Sequence, residues 1–217
     1  MPGVSEILIN VRGSHSVEVP PEVGVVHAEV RFAGASPEVV LDRLRHGVAR
    51  VRERLEQLES DGAVDRVVIQ QARTSIDRDG PKGRDWLKVV HRATVWFWAD
   101  FVDFEELGVW VGRSATEEGV QVRDVSWRLA KETQLNAERE VRQEAVRQAK
   151  VRAQDYADAL DLGPVSVRSI NDVGFHRDVA YASMAVGPEV ELAPELAFDP
   201  DDITVSAEVE AAFAVGS

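Results

Sequence analysis

The sequence of 217 residues contains no cysteine. A chain without cysteine forms no disulfide bond, no thiolate metal site and no cysteine nucleophile, which excludes several classes of enzyme. The sequence also lacks a run of about 18 apolar residues, and its first twenty residues contain neither an apolar run nor a basic segment typical of a secretion signal. These absences predict a cytoplasmic protein that is neither exported nor inserted in a membrane.

Basic residues are outnumbered, since 25 Lys and Arg face 38 Asp and Glu and give a net charge of −13. The acidic excess is concentrated in residues 178–217, which hold nine acidic residues and no Lys or Arg. A negative field repels phosphate backbones, so we expect no nucleic-acid partner. Five arginines lie between residues 43 and 54, but acidic residues are interleaved with them. We interpret this segment as the solvated, ion-paired face of a helix.

Catalytic motifs are also missing from the sequence. It contains no Gly-x-Ser-x-Gly elbow, no glycine-rich phosphate loop and no dinucleotide fingerprint. The histidines, which show no metal-binding spacing, are His15, His27, His46, His91 and His176. A metal site needs three or four converging ligands. We therefore predict a non-enzymatic protein with no catalytic residue, cofactor or metal. The alternative is a metal-dependent hydrolase whose site is built from histidines and C-terminal aspartates.

Regular elements begin with an alternation of apolar residues at Ile7, Ile9 and Val11, which Gly13 is expected to interrupt. Residues 26–32 alternate cleanly and predict a strand with one wet face. Ser36 followed by Pro37 predicts a helix start. The apolar stripe of this helix, which ends at Gly62, contains Leu41, Leu44, Val48, Val51, Leu55 and Leu58.

The middle of the chain predicts a hairpin of two long strands, residues 64–76 and 86–99, joined by a turn-rich segment. A helix over 103–116 and a strand over 120–130 follow, and a shift in the apolar phase between Val122 and Val125 predicts a bulge. The resulting order is β-α-β-β-α-β, as in split βαβ folds.

The last third predicts a long helix over 133–162, then strands near 165–170 and over 203–213, separated by an aperiodic loop excursion at about 176–200. The helical stripe contains Ala137, Val141, Ala145, Ala149 and Ala153, then Tyr156 and Leu160. The fold class predicted is α+β with mostly antiparallel sheets, helices on one face and both helical stripes against a single extended β surface. We expect a single domain over 1–217, or two subdomains over about 1–131 and 132–217.

Four stretches in this order resemble the SIMPL domain family, a domain of unknown function. They are residues 11–17 (VRGSHSV) with Pro20, residues 55–74 with DGAVD at 61–65, the alanine ladder leading to LDLGPV at 160–165, and ITVSAEV at 203–209. The resemblance covers nearly the whole chain. Two positions depart from the family pattern, because Pro21 replaces an acidic residue and a glycine-tyrosine pair is absent near Trp86.

The resemblance implies a homo-oligomer, because some members of the family resemble self-assembling shells. Other members are linked to oxidative-stress defence or to envelope antigens, and many carry a secretion signal. Because this sequence shows no such signal, we expect a role in stress physiology rather than in the envelope.

Three tryptophans, Trp86, Trp96 and Trp98, are predicted to share the strand face opposite Phe97. Core packing is the ordinary interpretation of such residues, and a subunit interface or an apolar ligand groove is the functional one. The leading hypothesis is a self-associating scaffold or interaction module that uses sheet edges or the Trp96 and Trp98 face. A carrier of a small ligand, with a tryptophan-lined groove gated by the 176–200 loop, is the main alternative.

Overall fold

The computed structural model describes residues 6–79, 88–177, 181–182 and 197–215. In chain order the elements are β1 (Ile7–Val19), β2 (Val23–Gly34), α1 (Pro37–Ser60), β3 (Val64–Ile69), β4 (Arg73–Asp79), β5 (Lys88–Phe101), α2 (Phe104–Thr116), β6 (Val120–Arg128), α3 (Lys131–Ala159), β7 (Val165–Arg177), β8 (Tyr181–Ala182) and β9 (Ile203–Val215). Every strand pairing among these elements is antiparallel, and together with the three helices this confirms the predicted α+β class. Within the described residues, no helix combines the length and apolar character needed to cross a membrane.

The chain divides into two compact units. The terminal unit contains residues 1–21, 129–179 and 201–217, and the central unit contains residues 22–128 and 180–200. This division differs from a cut near residue 131, because β1 at the start of the chain pairs along its whole length with β9 at the end.

Strand pairing defines two sheets in the described residues, one in each unit, rather than the single extended β surface that the sequence analysis predicted. The central sheet has the order β3-β5-β2-β6-β8, with β4 also paired to β5, and the terminal sheet has the order β1-β9-β7. The prediction of one surface was wrong because alternation identifies strands but does not identify their partners.

The predicted hairpin is present in the central sheet, but its first arm is split into β3 and β4. The chain leaves the regular ladder at residues 70–72, where the Gln70 amide donates to the Trp96 carbonyl at 2.8 Å. The predicted bulge is confirmed, because the register between β2 and β6 shifts after His27.

Helix α1 begins as predicted, with the Ser36 hydroxyl accepting from the Val39 amide at 3.4 Å and with Pro37 in the first turn. It lies on the same face of the central sheet as α2, since the α1 glycine Gly47 approaches Val30 and the α2 residue Leu107 approaches Gly24. The residues that α1 buries are Val40, Leu44, Gly47, Val51 and Leu55. Three members of the predicted stripe, Leu41, Val48 and Leu58, are only half-buried, because the contact face is centred slightly to one side of them.

Arginines of α1 form ion pairs, as the interleaved charges predicted, but three of them pair with acids outside the helix. Arg50 and Arg54 bind the carboxylate of Glu117 at 3.0 and 2.9 Å, and Arg43 pairs with Glu118. Glu117 and Glu118 lie in the turn between α2 and β6, so these ion pairs tie that turn to α1. The pairing spans more than sixty residues of sequence, which local charge patterning does not reveal.

In the terminal unit, α3 lies over β1 and β9 through the predicted stripe of small residues. Gly13 does not interrupt β1, which is continuous. A Cβ atom at Gly13 would lie 2.6 Å from the Ala149 amide nitrogen and closer still to the Ala145 carbonyl oxygen. The glycine therefore allows the helix backbone to approach the strand. The buried stripe continues at the same spacing to Ala157, and the predicted members Tyr156 and Leu160 lie off it and are exposed.

The predicted excursion at about 176–200 lies mostly outside the described residues. In its described parts, β8 pairs with β6, and the ring of Phe198 packs edge-on against Trp127 at a centroid distance of 5.6 Å.

Candidate interaction surfaces

Trp96 and Trp98 lie on the face of the central sheet opposite α1 and α2, and both are half-buried. The guanidinium of Arg73 lies 5.1 Å from the Trp96 ring centroid, and the His27 ring lies 6.4 Å from that of Trp98. These contacts occupy part of each aromatic surface. The third sequence-predicted tryptophan, Trp86, lies outside the described residues, so the structure brings two of the three together.

The same face holds two buried carboxylates, Glu29 and Asp100. The alternation of residues 26–32 predicted that Glu29 would face water, and no prediction was made for Asp100. Glu29 is 2% exposed and pairs with Arg123, and Asp100 is 4% exposed and lies 2.6 Å from Arg128. Glu29 lies directly opposite Trp96 in the β2–β5 ladder. Period-2 alternation correctly assigned Glu29 to the face away from the helices, but it gave no information about the large neighbouring side chains that bury it.

These carboxylates are held in ion pairs, and this limits the chemistry available to them. A buried carboxylate that is bound to a guanidinium is fixed in place by that contact. Glu29 therefore orients Arg123 on the adjacent strand β6, and Asp100 on β5 orients Arg128 across β2.

The histidines form no metal centre in the part of the chain that the structure describes. His15 lies in the terminal sheet and His27 in the central sheet, while His46 on α1 donates from Nδ1 to the Asp42 carbonyl oxygen at 2.8 Å. Among the described side chains, no three His, Asp or Glu residues converge in a way that could hold a metal ion.

A depression of about 510 Å³ on the terminal sheet is lined by residues 14–16 and 206–208, and it contains His15 beside serines. Glu208 lines the same depression and pairs with Arg12 at 3.3 Å. On α3, the hydrogen bond from Arg147, reinforced by Gln148, lowers the pKa of the Glu144 carboxyl, and the charge of His15 adds to this effect. Because Glu144 accepts from Arg147 and Gln148 at 3.0 and 3.1 Å, it is not held as the acid that orients a catalytic histidine.

Strand β7, at the edge of the terminal sheet, is left largely uncovered by α3, which lies over β1 and β9. Its side chains Val167 and Ile170 are 56% and 50% exposed, and Val173 is exposed as well. We call these three residues the β7 strip. The ladder between β7 and β9 shifts register twice, next to Val167 and next to Asp172, so the backbone of this edge is irregular.

The edges formed by β1 and β4 differ in how much of their backbone is open to a partner. On β1, the guanidinium of Arg152 donates to the Arg12 carbonyl at 2.7 Å, so α3 already uses part of the hydrogen-bonding capacity of that strand. Strand β4 pairs with β5 alone in the described part of the chain, its register is regular, and residues 71–77 are all exposed.

The architecture defines an α+β protein with two antiparallel sheets in its described residues, each covered on one face by helices. The chain belongs to the SIMPL family, because the family model described as a protein of unknown function (DUF541) matches residues 9–213. This match confirms the resemblance found in the sequence, and the family description names no enzymatic activity. No curated protein matches the chain.

Proposed function

We propose that this SIMPL protein is a non-enzymatic scaffold or interaction module that self-associates through surfaces at its sheet edges. The resemblance to members linked to oxidative-stress defence supports a role in stress physiology. The observation that carries the proposal is the β7 strip, an apolar surface on an edge strand.

The physical argument for a partner on this strip is the cost of leaving it in water. Burying apolar surface contributes roughly 25 cal/mol per Å², so exposed valine and isoleucine side chains on one strand favour association. An edge strand that keeps branched apolar residues exposed is a common site of contact between chains. Another copy of the chain carries the same strip, so two copies can bury their strips against each other in a two-fold symmetric contact.

The Trp96 and Trp98 face supports the proposal less well than the edges do. Arg73 and His27 already contact the two rings, and both tryptophans are half-buried within their own chain. A partner on this face would have to displace or cover those contacts.

Light scattering of the full chain during size-exclusion chromatography tests the proposal. We expect a mass above the 23.9 kDa of one chain, and we expect the double variant Val167→Lys/Ile170→Lys to shift the mass toward one chain. Val151→Lys is the matched control, because Val151 is equally exposed but lies on α3. A double variant that associates as strongly as the wild type contradicts the assignment of the β7 strip.

A further inference from the structure

The β4 edge combines three properties that favour pairing with another strand. Its ladder with β5 is regular from Arg73 to Asp79, whereas the β7 ladder shifts register twice. Residues 71–77 are all exposed, and Ile76 is 68% exposed. No strand in the described part of the chain pairs with its second edge. Such an edge presents unpaired amide and carbonyl groups to the solvent.

The charges on β4 are complementary to the same strand running in the opposite direction. Residues 73–77 read Arg-Thr-Ser-Ile-Asp. When two copies pair antiparallel about a two-fold axis at Ser75, each Arg73 lies opposite Asp77 of the second copy, and the symmetry makes this pair twice. An axis at Asp77 would place two aspartates opposite each other, and an axis at Arg73 would place two arginines opposite each other. An axis at Ile76 would also give an opposite-charge pair, Arg73 opposite Asp79. We take the register centred on Ser75, because it places both members of the charge pair within the exposed residues 71–77.

The side chains that would pair already lie on one face of the sheet. Arg73 stacks on Trp96, and Asp77 binds the Arg92 guanidinium at 2.6 Å, which places both on the face away from the helices. In the paired arrangement, Asp77 would lie between Arg92 of its own chain and Arg73 of the second copy. On the other face, Thr74 would lie opposite Ile76 and cover part of its exposed side chain.

We propose that β4 pairs with β4 of a second copy, antiparallel and with Ser75 at the two-fold axis, so that the two central sheets become continuous. This contact deepens the proposed function, since it rests on self-association and names one of its interfaces. It uses a different unit of the chain from the β7 strip, so the two contacts are tested separately.

The absence of cysteine makes cross-linking a direct test of this contact. Paired residues in antiparallel strands have Cα atoms about 4.5–5.5 Å apart, which lies within the range of about 4.4–6.8 Å that a disulfide bridges. The variant Ser75→Cys is therefore expected to form a disulfide-linked dimer under mild oxidation. The matched control is Gln71→Cys, which is also exposed, because the proposed register separates its two copies by about eight residues, or roughly 26 Å.

Charge reversal tests the register. In the Ser75→Cys background, Arg73→Asp or Asp77→Arg alone creates like-charge pairs and is expected to slow cross-linking roughly tenfold. Mixing the two reversed proteins in equal amounts restores both opposite-charge pairs, so cross-linking recovers only in the mixed dimer. This recovery cannot come from a change in the folding of either variant, because each variant alone serves as its own control.

The outcomes separate the two proposals. If the wild type associates but Ser75→Cys cross-links no faster than Gln71→Cys, the β4 contact is wrong and self-association through another surface stands. If cross-linking is fast but mixing the reversed variants restores nothing, the proposed register is wrong. If the chain stays a monomer and neither cysteine cross-links, both the β4 contact and the proposed function fail.

Discussion

The close approach of α3 to β1 predicts that Gly13→Ala destabilises the terminal unit. The added Cβ would lie 2.6 Å from the Ala149 amide nitrogen, 2.8 Å from the Ala149 Cβ and closer still to the Ala145 carbonyl oxygen. Normal contacts at such atoms are longer, so either the helix or the strand must move outward. The nearest atoms belong to the helix backbone, which cannot rotate away as a side chain can.

The expected cost follows from packing energetics. Overpacking a well-packed contact costs about 1–3 kcal/mol, and we expect the upper part of this range because backbone atoms are involved. Replacing glycine by alanine in a strand returns roughly 0.5–1 kcal/mol of conformational entropy. The net loss for Gly13→Ala is therefore about 2 kcal/mol.

Two spectroscopic signals distinguish the units in a urea titration. All five tryptophans lie in the sequence of the central unit, so their fluorescence reports on that unit. The far-ultraviolet circular dichroism also reports on α3, the longest helix in the described residues. We expect Gly13→Ala to lower the urea midpoint seen by circular dichroism, because it perturbs the α3 contact.

The matched control is Gly34→Ala, whose Cβ meets only the side chain of Val40 at 3.1 Å, and we expect it to change stability by less than about 1 kcal/mol. The double variant Gly13→Ala/Ala149→Gly is a second check, since it removes the side-chain clash and leaves the backbone clash. The argument from backbone contact would be refuted if Gly13→Ala left the urea midpoint unchanged. It would also be refuted if adding Ala149→Gly returned the midpoint to the wild-type value.

Two further predictions concern charges in the central unit. Arg123→Met is expected to destabilise the chain by about 2 kcal/mol, because it leaves the buried Glu29 carboxylate without this partner. The cost is below that of a fully buried ion pair because the Arg123 side chain is about half exposed. Chemical denaturation should show Glu29→Met/Arg123→Met to be more stable than Arg123→Met. Glu117→Gln is expected to lower the free energy of unfolding by about 1 kcal/mol, because Glu117 binds both Arg50 and Arg54. Thermal unfolding measures this loss, with Glu118→Gln as the control because Glu118 pairs with Arg43 alone among the α1 arginines. Equal losses in the two variants would contradict the prediction.

Local signals predicted the elements that local interactions determine. The Ser36 cap, the alanine stripe of α3 and the β6 bulge all follow from residues close together in the sequence, and all three are present. The resemblance to the SIMPL family rested on the order of such segments, which is why it survived the errors in tertiary pairing.

Long-range partners could not be predicted in the same way. The pairing of β1 with β9, the binding of α1 arginines by Glu117 and the burial of Glu29 beside Trp96 each join residues distant in sequence. Gly13 shows the same limit, because a glycine in a strand is equally consistent with a break and with close approach of a helix. Its role became visible only when the position of α3 was known.

Sedimentation equilibrium of the untagged, full-length chain over a hundredfold range of concentration tests the central claim most directly. If exposed sheet edges hold copies of this protein together, the average mass exceeds 23.9 kDa at high concentration and falls toward that value on dilution or in the edge variants. A mass of one chain at every concentration would contradict the claim.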